Sequence, residues 1–242
     1  MLFPYGICNF AKIIHQNYFL VDRSAKIATL EQAGDQLLFL RPRRFGKSLL
    51  LSMLDNYYDI AKAKQFTKLF GQLKIGQNPT SHHNQYFILR WDFSMIKSHG
   101  TVQEIEMALH DHLNACARSF RTNYGAILSQ PIEIKLDNGL VALQSLVDAV
   151  RNYGKSIYLL VDEYDNFANE IMTTQSKNYA ALVHGEGIIK TLFKAVKGLS
   201  AGQGIDRVFI TGVSPVVMSD VSSGYNVSKN ISLRPEYNDL CG

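Results

Sequence analysis

Short, continuously apolar runs separated by helix-forming stretches constrain this chain more than any other feature. They are Gln36-Leu37-Leu38-Phe39-Leu40, Tyr86-Phe87-Ile88-Leu89-Arg90-Trp91, Ile157-Tyr158-Leu159-Leu160-Val161 and Arg207-Val208-Phe209-Ile210-Thr211. A strand without polar alternation is buried on both faces, and the helices between such strands supply the cover. The pattern therefore predicts an α/β protein, a three-layer sandwich around a mostly parallel sheet. Asn230-Ile231-Ser232-Leu233 is a further candidate strand, for a sheet of about five.

The intervening segments carry helical periodicity. Leu49, Leu50, Leu51, Met53, Leu54 and Tyr57 nearly encircle a helix from Ser48 to Tyr58, which places it in the interior. Val102, Ile105, Leu109, Leu113, Cys116 and Phe120 form one apolar stripe, and Leu140, Leu143, Leu146, Val147 and Val150 another. A further helix is expected over Gly187 to Leu199. The chain has 242 residues, 46% of them apolar and 19% charged, which excludes a disordered or fibrous protein and fits one domain over residues 1–242. A net charge of +4 is too weak a field to argue for nucleic acid. Three widely spaced cysteines, Cys8, Cys116 and Cys241, are not a disulfide framework. Together with the lack of a signal-like start or a membrane-length apolar run, they set the expectation of a cytoplasmic protein without membrane contact. The chain stops at Asp239-Leu240-Cys241-Gly242 straight after an apolar stretch, as expected of a cut at a domain edge.

The run Gln36–Leu40 leads into Arg41-Pro42-Arg43-Arg44-Phe45-Gly46-Lys47-Ser48 and then the Ser48 helix. This strand–loop–helix ending in Gly-Lys-Ser is the context of a phosphate-binding loop. Free N–H groups at a helix start and the helix dipole attract an anion. Arg43, Arg44, Phe45, Gly46, Lys47, Ser48 and Leu49 are the candidate nucleotide-binding residues, with Lys47 reaching the outer phosphates and Ser48 offering its hydroxyl to Mg²⁺. Arg41 stands where the usual motif has its first glycine.

The run Ile157–Val161 ends in Asp162-Glu163. Apolar residues followed by Asp are the form of a magnesium-organising strand; Asp162 and Ser48 are the metal candidates. Glu163 is placed to polarise a water for in-line attack, so the catalytic candidates are Glu163, Lys47 and Thr211, the last at the end of its own strand. Tyr86–Trp91 lies between the two motifs in the chain, the mark of ATPases in which an additional strand separates the motif strands and a catalytic Glu follows the metal Asp. No Asn-Lys-x-Asp guanine-reading motif is present, which favours ATP over GTP. Tyr5, Phe10, Tyr18 and Phe19 are aromatic candidates to cover an adenine. Arg234 is a weaker candidate to reach a neighbouring subunit's nucleotide.

On these residues the chain resembles the bacterial AAA-ATPase-like family. The matching pieces are Tyr18-Phe19-Leu20-Val21-Asp22-Arg23-Ser24, the Leu40–Ser48 loop, Val161-Asp162-Glu163-Tyr164-Asp165 and Ile210-Thr211-Gly212-Val213-Ser214, within a resemblance running from about Pro4 to Gly242. The family itself carries Arg in place of the loop's first glycine. It usually has Asp-Lys-Thr where this chain has Asp22-Arg23-Ser24, and Pro soon after Asp165, where Asn166-Phe167-Ala168 follow here. The resemblance implies a P-loop ATPase using ATP and Mg²⁺, often continued by a small lid and a restriction-endonuclease-like nuclease domain, both expected to lie outside residues 1–242. Its leading functional expectation is an Mg²⁺-dependent ATPase that drives or gates an attached effector. Alternatives are a nucleotide-binding switch or scaffold with little hydrolysis, and the ATPase module of a nucleic-acid-processing nuclease. A homo-oligomer, a C-terminal effector or nuclease domain, and nucleic acid stay open as partners.

Overall fold

The computed structural model describes residues 2–174, 176–183, 187–215 and 225–241, with the side chains of 174 and 176–178 outside the description. Five strands, β1 (Gln36–Leu40), β2 (Tyr86–Asp92), β3 (Ser156–Asp162), β4 (Ile205–Gly212) and β5 (Lys229–Asn230), form one sheet in the order β2-β3-β4-β1-β5. Every pairing is parallel. An additional strand does separate β1 from β3, but it is β4. The Tyr86–Asp92 strand, which lies between the motifs in the chain, is the outer edge of the sheet. β5 is shorter than Asn230–Leu233 suggested: it pairs with Leu37 and Leu38 and then turns away.

Around the sheet run α1 (Phe10–His15), α2 (Lys26–Ala33), α3 (Lys47–Tyr58), α4 (Phe66–Phe70), α5 (Lys74–Gln77), α6 (Val102–Tyr124), α7 (Gly139–Asn152), α8 (Asn166–Thr174), α9 (Ser176–Val183) and α10 (Ile188–Ser200). The period-2 alternation of the strands divides the core in two. Leu37, Phe39, Tyr158, Leu160 and Phe209 pack with the helices from α1 to α4 on one face. Leu38, Leu40, Leu159, Val161 and Ile210 pack with α6, α7, α8 and α10 on the other. α3 is buried along most of its length, as its apolar circumference required. α6 starts at a reciprocal cap in which the Thr101 hydroxyl accepts from the Glu104 N–H while Glu104 accepts from the Thr101 N–H. No helix among the described residues is long and apolar enough to cross a membrane.

The strand register aligns the functional ends of the sheet. Leu40 lies opposite Gly212, and Asp92 lies opposite Asp162. The carboxyl ends of β1, β4, β3 and β2 thus form one level rim, the edge at which open parallel sheets hold ligands.

Candidate functional site

The loop after β1 is shaped by two left-handed residues, Arg44 at φ 70° and Gly46 at φ 83°. Gly46 is also the residue before α3 and has no side chain to cap it, so the first N–H groups of the helix stay available to an anion. Lys47 is 6% exposed although it is a cation. Its Nζ donates to the carbonyl oxygens of Arg41 (2.9 Å) and Pro42 (3.0 Å), which folds the ammonium back across the loop. Ser48 is half-buried at the first turn of the same helix.

The second half of the rim is a bonded carboxylate group. Asp162 is 2% exposed, and its Oδ1 accepts from the Thr211 hydroxyl at 2.7 Å and from the Glu163 N–H at 3.1 Å. Both partners use the same oxygen, leaving Oδ2 for a further one. Thr211 is itself fully buried. Its hydroxyl is directed at Asp162 and the Val161 carbonyl within the core, not at the open rim from which a water would attack. Thr211→Val keeps the shape, strips the buried carboxylate of a donor, and is expected to lower unfolding stability by about 1–3 kcal/mol in a urea titration.

Glu163 adopts φ 49°. Among the described residues the other non-glycine positions with positive φ are Asn17, Asn84 and Arg44; asparagine adopts this region readily, Glu and Arg rarely. The two strained backbone positions, Arg44 and Glu163, therefore both sit at the rim, one on each motif. Backbone held this way costs about 1–3 kcal/mol and persists where the surroundings enforce it. Half-burial, then the neighbouring carboxylates of Asp162 and Asp92, push the Glu163 carboxyl above its ordinary value, while Lys47 and Arg43 pull the other way. The cations of the β1 loop thus face the acid that follows β3.

Asp165 locks the far wall. It is buried, and its carboxylate accepts from the N–H groups of Val213 (3.1 Å) and Ser214 (2.6 Å). The Tyr164 hydroxyl donates to the Ser214 carbonyl at 2.6 Å. A side chain at position 212 would overlap the Asp165 carboxylate and the Tyr164 ring, which explains Gly212. Val213 and Ser214 are thereby fixed directly after β4, with Val213 beside Glu163.

The other expected residues divide between two concavities. Arg43 reaches Asn166 Oδ1 at 3.5 Å and, with Glu163 and Asp165, lines a polar one. Arg44, Phe45, Gly46 and Leu49 line a separate, apolar one. Of the four aromatic candidates, Phe10 and Phe19 border that apolar cavity; Tyr5 is 89% exposed, and neither it nor Tyr18 lines it. Arg234 is exposed at the start of the turn Pro235–Tyr237. Asp92 and the Asp165 lock were not anticipated, although an acidic residue directly after an apolar run was a usable signal for Asp92.

A family described as "Predicted AAA-ATPase" matches residues 4–222, short of the expected end at Gly242. An Azotobacter chroococcum mcd 1 protein named "Uncharacterized protein in vnfD 5'region" is 27% identical over 259 aligned residues, which cover 99% of this chain and 42% of that protein. The chain thus spans about two fifths of the length of that relative. No solved structure matches the chain. With a strand–loop–helix turn and an Asp–Glu strand end on one rim of an all-parallel sheet, and a match over most of its length, the chain belongs to the predicted AAA-ATPase family.

Proposed function

We propose that the chain binds Mg·ATP on the loop after β1 and hydrolyses it. One observation carries this: Lys47 and Arg43 from the loop lie within electrostatic reach of Glu163, on the same rim as the buried carboxylate of Asp162. Two motifs far apart in the chain are brought to one place with opposite charges facing.

The residues suit a magnesium triphosphate. Lys47 already spans two loop carbonyls as a desolvated cation, so it can turn to phosphate oxygens without first losing water. Ser48 and Asp162 would hold the metal, the hydroxyl directly and the carboxylate through water. Magnesium, when bound, neutralises the charge that develops as the terminal phosphate leaves. Glu163 accepts the proton of a water held in line with that phosphate, and Thr211 keeps Asp162 oriented. Catalysis is mainly positioning and electrostatics, as expected for phosphoryl transfer. In a longer protein the turnover would drive or gate an attached effector.

Phosphate release from ATP by the purified chain tests this. Release is expected with Mg²⁺ and is expected to fall to background on addition of EDTA. Tight ATP binding without release would overturn hydrolysis and favour a nucleotide-gated switch.

A further inference from the structure

Arg41 occupies the loop position where a glycine is usual, yet it does not point at the phosphate cradle. Its guanidinium donates to the carbonyls of Leu40 (2.9 Å) and Ser232 (2.6 Å), and more loosely to Tyr237 O (3.3 Å) and Asn238 Oδ1 (3.4 Å). It also lies 4.4 Å above the Phe39 ring. The segment it clasps follows β5. Ile231, Tyr237 and Leu240 on that segment are buried in the core beneath α3. The Leu40 N–H donates to the Ser232 hydroxyl at 2.8 Å, which completes the attachment.

The end of this segment forms a wall of the apolar cavity beside the loop. The cavity holds about 290 Å³ and is bounded by Phe19, Val21, Phe45, Leu49, Leu240 and Cys241. Asp22 and Arg23 add polar groups to its lining. Asp22 is fixed: Ser24 donates to it through both N–H and hydroxyl, and the Lys74 N–H donates to its other oxygen. A small apolar cleft with a few oriented polar groups is the usual form of a site for a flat heteroaromatic ligand. Because Gly46 at the end of the loop and Leu49 in the first turn of α3 both line the cavity, a ligand with its phosphates on the loop would carry its base into the cleft.

We propose that this cavity is a purine-base subsite and that Arg41 is its positioning residue. By clasping the segment after β5, Arg41 holds Leu240 and Cys241 against the base. This deepens the Mg·ATP reading and rests on it. The arginine in the phosphate loop thus serves the base end of the nucleotide, and the phosphates are left to Lys47 and the helix amides.

The two ends of the ligand can be measured separately. Calorimetric titrations with Mg·ADP and with magnesium tripolyphosphate are compared for the wild type, Arg41→Ala and Arg41→Lys. Arg41→Ala is expected to weaken ADP by about tenfold or more and to leave tripolyphosphate within about twofold, the scale of disturbing one wall of a ligand pocket. Arg41→Lys, which keeps the charge but has one donor nitrogen in place of the two that Arg41 uses, should fall between. A general loss of structure would weaken both ligands together and overturn the assignment, as would an Arg41→Ala variant that binds ADP normally.

Cys241 gives a test that needs no substitution. Its alkylation by iodoacetamide in the wild type, followed by peptide mapping, should be slowed by saturating ADP and left unchanged by saturating tripolyphosphate. Equal labelling with bound ADP would place the base elsewhere and overturn the subsite. A wild type that binds neither ligand would sink the Mg·ATP reading itself, and this inference with it. Tripolyphosphate binding without a gain from the adenosine moiety would sink this inference alone.

Discussion

Replacing Lys47 by alanine should weaken Mg·ATP binding by at least about 100-fold, the scale of losing a desolvated charge-assisted contact to phosphate. Lys47 is 6% exposed, and its ammonium rests between the carbonyls of Arg41 and Pro42. A cation in such a setting is screened little by water, so its attraction to a triphosphate is stronger than that of a surface lysine. The fold should survive. Pro42 is exposed and Arg41 half-buried, so water can reach the carbonyls that Lys47 leaves. The variant's thermal midpoint should therefore change little while its ATP isotherm goes flat. Lys47→Arg should not rescue binding, because a longer, planar guanidinium spreads its charge and donors instead of presenting the compact ammonium that rests on the two carbonyls. Affinity in Lys47→Ala within about threefold of the wild type would remove the phosphate site from this loop.

β1 to β4 were legible because each is a mostly apolar run buried on both faces, whereas the short, exposed β5 carries no such run. Leu38 and Leu40 serve one layer while Leu37 and Phe39 serve the other, which makes β1 a continuous apolar word. α6 and α10 were legible from their stripes, one over Val102–Tyr124 and one over Ile188–Ser200. α1, α4 and α5 were not, since each spans at most two turns and depends on packing, as when Phe10 stacks on Phe70 at 4.9 Å. The sheet order was only half legible. That a strand intervenes between the motif strands followed from motif spacing. That it is β4 depends on non-local pairing, which leaves no local trace in the chain.

The same division runs through the site. The places of Gly46, Lys47, Asp162 and Glu163 on one rim could be anticipated because each lies at or just beyond the end of an apolar run. The clasp of Arg41 could not, since Ser232 and Tyr237 lie on a segment far along the chain and accept through backbone carbonyls that any sequence possesses. Thr211 falls between the two. Its place at a strand end was visible, while its bond to Asp162 depends on β3 and β4 being neighbours.

Glu163→Gln should separate binding from chemistry. Turnover is expected to fall by about 10²–10⁴-fold, the usual contribution of a positioned general base, while affinity for Mg·ATP is kept or rises. Glutamine holds the same shape and can still touch the water, but it cannot take its proton. Removing a negative charge beside Asp162 and Asp92 also eases the approach of a polyanion. The same substitution carries a pH signature in the ligand-free protein. Burial and the two neighbouring aspartates raise the Glu163 carboxyl above its ordinary 4.5 in the folded state. The folded chain therefore binds this proton more tightly than the unfolded chain does. Its contribution to stability is present below 4.5 and is lost as pH rises through the raised value. Glutamine never ionises, so the variant should match the wild type in urea unfolding near pH 4 and exceed it at pH 7 to 8. Equal turnover in the two proteins would take Glu163 out of the reaction, and parallel stability curves across that pH range would take it out of the company of Asp162 and Asp92.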